Sequence, residues 1–175
     1  VQVDRRVTYV KFIDSDDLEI HKSVKSVNKN ISYKDKLKLI DLAIQSGIHS
    51  RFNIDKNIGK EKFEEMYRLW MINSLNYKIA KEVLTFIEND KLMGVITLMG
   101  ERDEAYIGII AVEHTFRGRG IGEILMKSAE KRLSNLGYNS IKVVTQENNI
   151  PACRLYEKCG YVVENVEYFY HIWKK

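Results

Sequence analysis

The sequence is poor in residues that staple or break a fold. It has two cysteines, Cys153 and Cys159. They are too few and too close in the chain for a disulfide framework, so they are expected as reduced thiols in or near the core. No His or Cys falls at zinc-binding spacing, and no metal is expected. The one proline, Pro151, lies in the first turn of a helix pattern, where its missing N–H costs nothing. Apolar runs fall far short of the roughly 18 residues a membrane span needs, and the first residues lack the basic-then-apolar layout of a secretory leader. A cytoplasmic protein with no membrane partner is expected. Internal repeats and low-complexity tracts are missing too.

What is present suits one sizeable core. The 175 residues are 45% hydrophobic, enough for a single domain over residues 1–175. The chain opens at Val1 within a strand-like stretch, so an upstream segment is expected. The net charge of +4 comes from scattered Lys and Arg, which suit an anionic small molecule as readily as nucleic acid. No other feature supports a nucleic-acid partner.

Gln2 to Ile13 alternate loosely, with Val3, Val7, Tyr9, Val10 and Phe12 predicting a strand that ends at Asp14-Ser15-Asp16-Asp17. Ser32 is placed to cap a helix with Tyr33, Leu37, Ile40, Ala43 and Ile44 on its apolar face and Gly47 at its end. Ile48 to Gly59, with Ser50-Arg51-Phe52, reads as a loop. A second helix runs from Lys60 to Ser74, its stripe of Phe63, Met66, Tyr67, Trp70 and Met71 read as core. The period then changes. Val83 to Glu88 and Leu92 to Met99 form a hairpin about Asn89-Asp90-Lys91, followed by a third strand from Ala105 to Val112. A helix from Gly120 buries Ile121, Ile124, Leu125, Ala129, Leu133 and Leu136 and turns Lys127, Glu130, Lys131 and Arg132 outward. Ile141 to Thr145 is a buried strand, Asn149 to Lys158 a short helix, and Tyr161 to Trp173 a long last strand. The elements predict an α/β (α+β) architecture: a mixed, mostly antiparallel sheet flanked by helices.

Arg117-Gly118-Arg119-Gly120-Ile121-Gly122 lies between a strand and a helix. Glycines let the backbone turn with its N–H groups facing one way, and the helix N-terminus adds partial positive charge, so the stretch reads as a phosphate cradle. A dinucleotide fold would place such a turn after the first strand of a βαβ series. Here it follows a meander. A nucleoside triphosphate loop would need Lys-Ser or Lys-Thr after the glycines, and neither is present.

Arg117-x-x-Gly120-x-Gly122 after Ile110-Ala111-Val112, with Asn149-x-x-Ala152-x-x-Leu155-Tyr156-Glu157-Lys158-x-Gly160-Tyr161 downstream, resembles the GNAT family of N-acetyltransferases. The resemblance covers Lys81 to Lys175 firmly and the first eighty residues loosely. It implies a splayed central strand pair that binds acetyl-CoA. Ile110, Ala111 and Val112 would pair with the pantetheine arm, Arg117, Gly118, Arg119, Gly120, Ile121 and Gly122 would hold the pyrophosphate, and Asn149 and Ala152 would contact the cofactor. Tyr156 would be the general acid for the departing thiolate, its ordinary pKa near 10 keeping the proton in place at neutral pH. Without the resemblance, Tyr156 reads as a core tyrosine and Asn149 as a helix cap.

No general base stands out. The position where relatives that acetylate protein N-termini carry glutamate is Val144, and Gln146, Glu147, Glu113, His114 and His171 each read as solvated or structural. On the acceptor side, Ser50-Arg51-Phe52 and the aromatic final strand Tyr168-Phe169-Tyr170-His171-Ile172-Trp173 resemble the dTDP-fucosamine acetyltransferase-like subgroup, with Arg51, Tyr168, Tyr170 and His171 as the substrate-binding residues. That resemblance implies a nucleotide-linked amino sugar as the small-molecule amine. Direct attack in a ternary complex is expected, since no Cys or Ser is placed as a nucleophile. Protein, peptide or polyamine acceptors and a non-catalytic acyl-CoA-binding module are the alternatives. A homodimer through the long last strand is a further expectation.

Overall fold

Alternating β-branched and aromatic residues extend the first strand, β1 (Gln2–Phe12), with Val7 and Tyr9 buried and Phe12 exposed. A computed structural model describes residues 2–13, 18–28 and 30–173. The Asp14-Ser15-Asp16-Asp17 turn expected after β1 lies outside the described residues. A short strand, β2 (Val24–Ser26), was not expected, because three residues in polar surroundings carry no readable alternation.

The Ser32 hydroxyl accepts from the Asp35 N–H at 3.1 Å and starts α1 (Tyr33–Ser46). Its buried face is Leu39, Ile40, Leu42 and Ala43, whereas the expected Tyr33 and Leu37 are exposed. Two apolar stripes wind round this helix, and packing against α3 (Lys60–Leu75) and the sheet selects one of them. Within the expected loop, residues 51–54 form a single helical turn, α2 (Arg51–Ile54), too short to show a period. The hairpin β3 (Glu82–Glu88) and β4 (Lys91–Glu101) turns at Asn89-Asp90, both with positive φ (49 and 57), as a tight two-residue turn requires.

Then follow β5 (Glu104–Val112), α4 (Ile121–Asn135), β6 (Ser140–Gln146), α5 (Ile150–Lys158) and β7 (Val162–Tyr170). β7 stops before the expected Trp173 because His171 and Trp173 both bond Asp55, drawing the tail away from the sheet. Seven strands form one mixed sheet in the order β2-β3-β4-β5-β6-β1-β7, antiparallel except for β5–β6. Leu125, Met126, Ala129 and Leu133 of α4 pack on one sheet face, and Leu39, Leu42 and Met71 of α1 and α3 on the other. Glu130, expected to face outward, is fully buried. Lys11 Nζ donates to its Oε2 and to the Cys159 carbonyl, both at 2.8 Å. Among the described residues no helix is long and apolar enough to cross a membrane.

β5 changes faces along its length. Ala105 and Ile107 join the α4 core, and Ile109 and Ala111 join the α1–α3 core. The switch sits at a register shift in the β4–β5 pairing beside Thr97, whose hydroxyl accepts the Ile109 N–H at 2.8 Å. Pairing with β6 is confined to Ala105–Ile107 against Ile141–Val143. From Gly108 to Val112, β5 therefore leaves its β6-facing edge open, which is the expected splay.

Candidate active site

The opening between β5 and β6 continues into a cavity of about 780 Å³. Ile110, Ala111 and Val112 form one wall, and Gly118, Gly120, Ile121 and Gly122 form one end. Gly118 and Gly120 have φ of 76 and 77, the left-handed region that favours glycine. Gly120 begins α4 with no side-chain cap. Ile124 N–H, bonded to the Gly120 carbonyl at 3.1 Å, makes the first helical bond, so the amides before it lack partners within the helix. Those amides, the helix dipole and Arg117 make an anion-binding end. Arg117 Nε donates to the Val112 carbonyl at 3.0 Å, anchoring the turn to β5. Arg119 does not line the cavity; its guanidinium lies 5.2 Å from the Phe116 ring centre.

Asn149, Ala152 and Tyr156 line the opposite wall. The Asn149 side chain accepts from the Ala152 N–H at 3.4 Å and donates to Thr145 Oγ1 at 3.2 Å. It caps α5 and ties it to β6. Tyr156 is 3% exposed, with the Tyr9 ring 5.6 Å away. Burial pushes its phenol well above the ordinary tyrosine value. The group therefore keeps its proton across the physiological range and can serve as a donor.

The far end of the cavity is built from Ser50, Arg51, Phe52, Tyr67 and Trp70, and Arg6 and Gln146 also line the cavity, with Arg6 and Arg51 both near the Phe169 ring. Arg51 thus reaches the cavity, whereas Tyr168, Tyr170 and His171 do not line it. His171 Nδ1 pairs with Asp55 Oδ2, and Trp173 Nε1 donates to the same oxygen at 3.0 Å. The His171 contact is the main reason that the Asp55 carboxyl is held down at about 2. Tyr168 and Tyr170 are exposed on the edge strand. Glu113 and His114 are engaged with each other, and Lys38 pairs with Glu113; Glu147 pairs with Arg5. Val144 and Gln146 line the cavity. Tyr67 and Trp70, read from their spacing as core, also face it, because a helical stripe does not reveal which neighbour it meets. Among the described residues no group of His, Cys, Asp or Glu converges as metal ligands would.

The sequence model of the Acetyltransferase (GNAT) family matches residues 39–161, which include both cavity walls. The chain belongs to the GNAT acetyltransferase family. Among curated relatives of this GNAT chain, the spore coat polysaccharide biosynthesis protein SpsD of Bacillus subtilis is 27% identical over 77% of the chain and 46% of that protein. Streptothricin acetyltransferase of Escherichia coli is 39% identical over 48% of each. The chain thus spans about half the length of the curated relatives it matches. In fold, it resembles the PaiA N-acetyltransferase of Thermoplasma acidophilum, solved in complex with coenzyme A. The two share a TM-score of 0.60 and 20% identity over 78% of this chain and 87% of that one.

Proposed function

We propose that this GNAT chain, as one domain over residues 1–175, is a cytoplasmic N-acetyltransferase using acetyl-CoA to modify a small-molecule primary amine. The carrying observation is that the Gly118–Gly122 turn, the open edge of β5 and Tyr156 line one continuous cavity. Gly118 and Gly120 themselves put no side chain over the turn, and the space beside them is open, since a Cβ at either would meet nothing within 4 Å. These residues fit a pyrophosphate, and the free β5 edge fits an amide-bearing arm. Bound there, acetyl-CoA supplies an activated acetyl thioester. Ile110, Ala111 and Val112 hold the donor's arm, the turn holds its phosphates, and Tyr156 hands its phenolic proton to the departing sulfur.

The acceptor in this reading is a nucleotide-linked amino sugar, supported by Arg51 at the far end of the cavity and by the polysaccharide-pathway name of one relative. The streptothricin-acetylating relative supports a second reading, an amine on an antibiotic scaffold. Tyr168 and Tyr170 lie on the outer strand, where self-association would use them rather than substrate. Tyr156→Phe should keep coenzyme A binding and lower turnover at least about tenfold, the loss expected for a general acid. Unchanged turnover would remove Tyr156 from this role. An acceptor panel of dTDP-amino sugars, streptothricin, polyamines and peptides, read by released thiol, tests the substrate class. Preference for peptides or polyamines would overturn the sugar reading, and no turnover with any amine would favour a binding module.

A further inference from the structure

At the far wall of the cavity, Arg51 faces the opening and Asp4, which the proposed acetyl transfer gives no role, lies buried behind it. The Asp4 side chain on β1 is 2% exposed, and its Oδ2 has no hydrogen-bond partner among the described residues. Arg51 Nη1 stands 3.9 Å from that oxygen, close enough for Coulomb attraction and too far for a hydrogen bond. The guanidinium is held instead by aromatic rings, 4.5 Å from the Phe52 centre and 4.3 Å from the Phe169 centre. Stacking thus sets its plane, and among the described residues its N–H donors make no hydrogen bond.

With Asp4 ionised the pair is neutral overall. A phosphate oxygen brought to Arg51 would meet a buried carboxylate nearby, and the repulsion would weaken its grip. Protonating Oδ2 removes that repulsion. We propose that Asp4 and Arg51 form a proton-coupled anion subsite: Arg51 binds a phosphate oxygen of a nucleoside-diphosphate group while Asp4 takes up a proton from solvent. The inference rests on the nucleotide-linked acceptor reading above.

The surroundings suit this exchange. Burial, the largest influence, lifts the Asp4 carboxyl above its ordinary value, and Arg51 opposes the lift. From α3, Tyr67 faces the pair as a phenol that burial pushes upward, hence neutral. From β6, the Gln146 amide favours the charged form, as do the Arg5 backbone and Arg6 on β1 itself. Arg6 is already committed to Glu167 of β7, with Nε 3.0 Å from Oε2, and Arg5 to Glu147. Asp4 is therefore the buried group here whose charge can change when an anion arrives.

The sign follows from linkage. A bound anion raises the Asp4 pKa further, so the complex holds more protons than the free protein. Affinity then strengthens as pH falls through the bound-state value and levels off below the free-state value. One linked proton limits the gain to about tenfold per pH unit.

The test is calorimetric titration of dTDP-glucose, which carries a nucleoside diphosphate but no acceptor amine, into protein saturated with coenzyme A. Buffers of different ionisation enthalpy, between about pH 5 and 8, report the protons taken up. Net uptake and tighter binding at lower pH are expected, with both lost in Asp4→Asn and binding weakened at least about tenfold in Arg51→Gln. Binding without proton uptake, or uptake that survives Asp4→Asn, overturns the inference and leaves the nucleotide-sugar reading standing. No binding, or binding indifferent to Arg51→Gln, overturns both. The proton count on the unsubstituted protein needs no variant, so it decides even where a substitution at this buried site fails to fold.

Discussion

Glu130 shows how little a residue's type says about its place. In the α4 pattern it falls among Lys127, Lys131 and Arg132 and reads as a solvated charge. In the fold it is fully buried, and Lys11 reaches it at 2.8 Å from the other end of the chain. Lys11 also lies 5.6 Å from the Tyr161 ring centre. Removing one partner of such a pair strands the other charge, although the Lys11 side chain is 25% exposed and retains some water. Glu130→Ala should cost about 2 kcal/mol in urea unfolding, and Lys11→Met/Glu130→Leu should recover most of it. Loss of less than about 0.5 kcal/mol in the single variant would show that the pair is decorative. The residues of the glycine turn and Tyr156 were legible because they sit in a spaced motif. Asp4 carried no such signal, since one charge in an alternating strand looks ordinary.

Among elements, α4 depends most on its first residue. Gly120 is left-handed and opens a helix of 15 residues without side-chain help. Gly120→Ala should cost about 1 to 2 kcal/mol of stability from the left-handed backbone alone. Coenzyme A binding should weaken alongside, because relaxing that strain turns the free amides away from the cavity. Thermal unfolding and calorimetry on the same variant check both. Coenzyme A affinity equal to the unsubstituted protein would separate the turn from donor binding. Gly47 teaches a different lesson. Its position correctly predicts the end of α1, yet its φ of −88 is open to any residue. Glycine is needed there because a Cβ would fall 2.2 Å from Tyr67 Cζ. The helix stop was readable, and the reason for it lay in another helix.

At the scale of the whole molecule, the decisive feature is the place of β1. It lies between β6 and β7, pairing Val7 with Thr145 on one side and with Val166 on the other. Such contacts join the two ends of the chain, so they form only when the sheet forms as a unit. Backbone amides of Thr8 and Val10 should therefore exchange hydrogen only through global unfolding, with those of β2 exchanging sooner. Mass spectrometry after deuteration, resolved by peptide, checks this ordering. Fast exchange across residues 2–12 would mean that β1 docks onto an already folded sheet.

The sequence alone determined the α/β class, the meander, most helix limits, the donor-side motif and the family resemblance. These depend on spacing within a few residues: alternation, helical period, a capping hydroxyl, glycines in a turn. The tertiary structure decided the insertion of β1, the face that α1 buries, the burial of Glu130 and the pairing of Arg51 with Asp4. It also drew Tyr67 and Trp70 to the cavity and left Tyr168 and Tyr170 outside it. Each of these depends on which distant segment arrives as a neighbour, and that is chosen by packing the whole sheet at once.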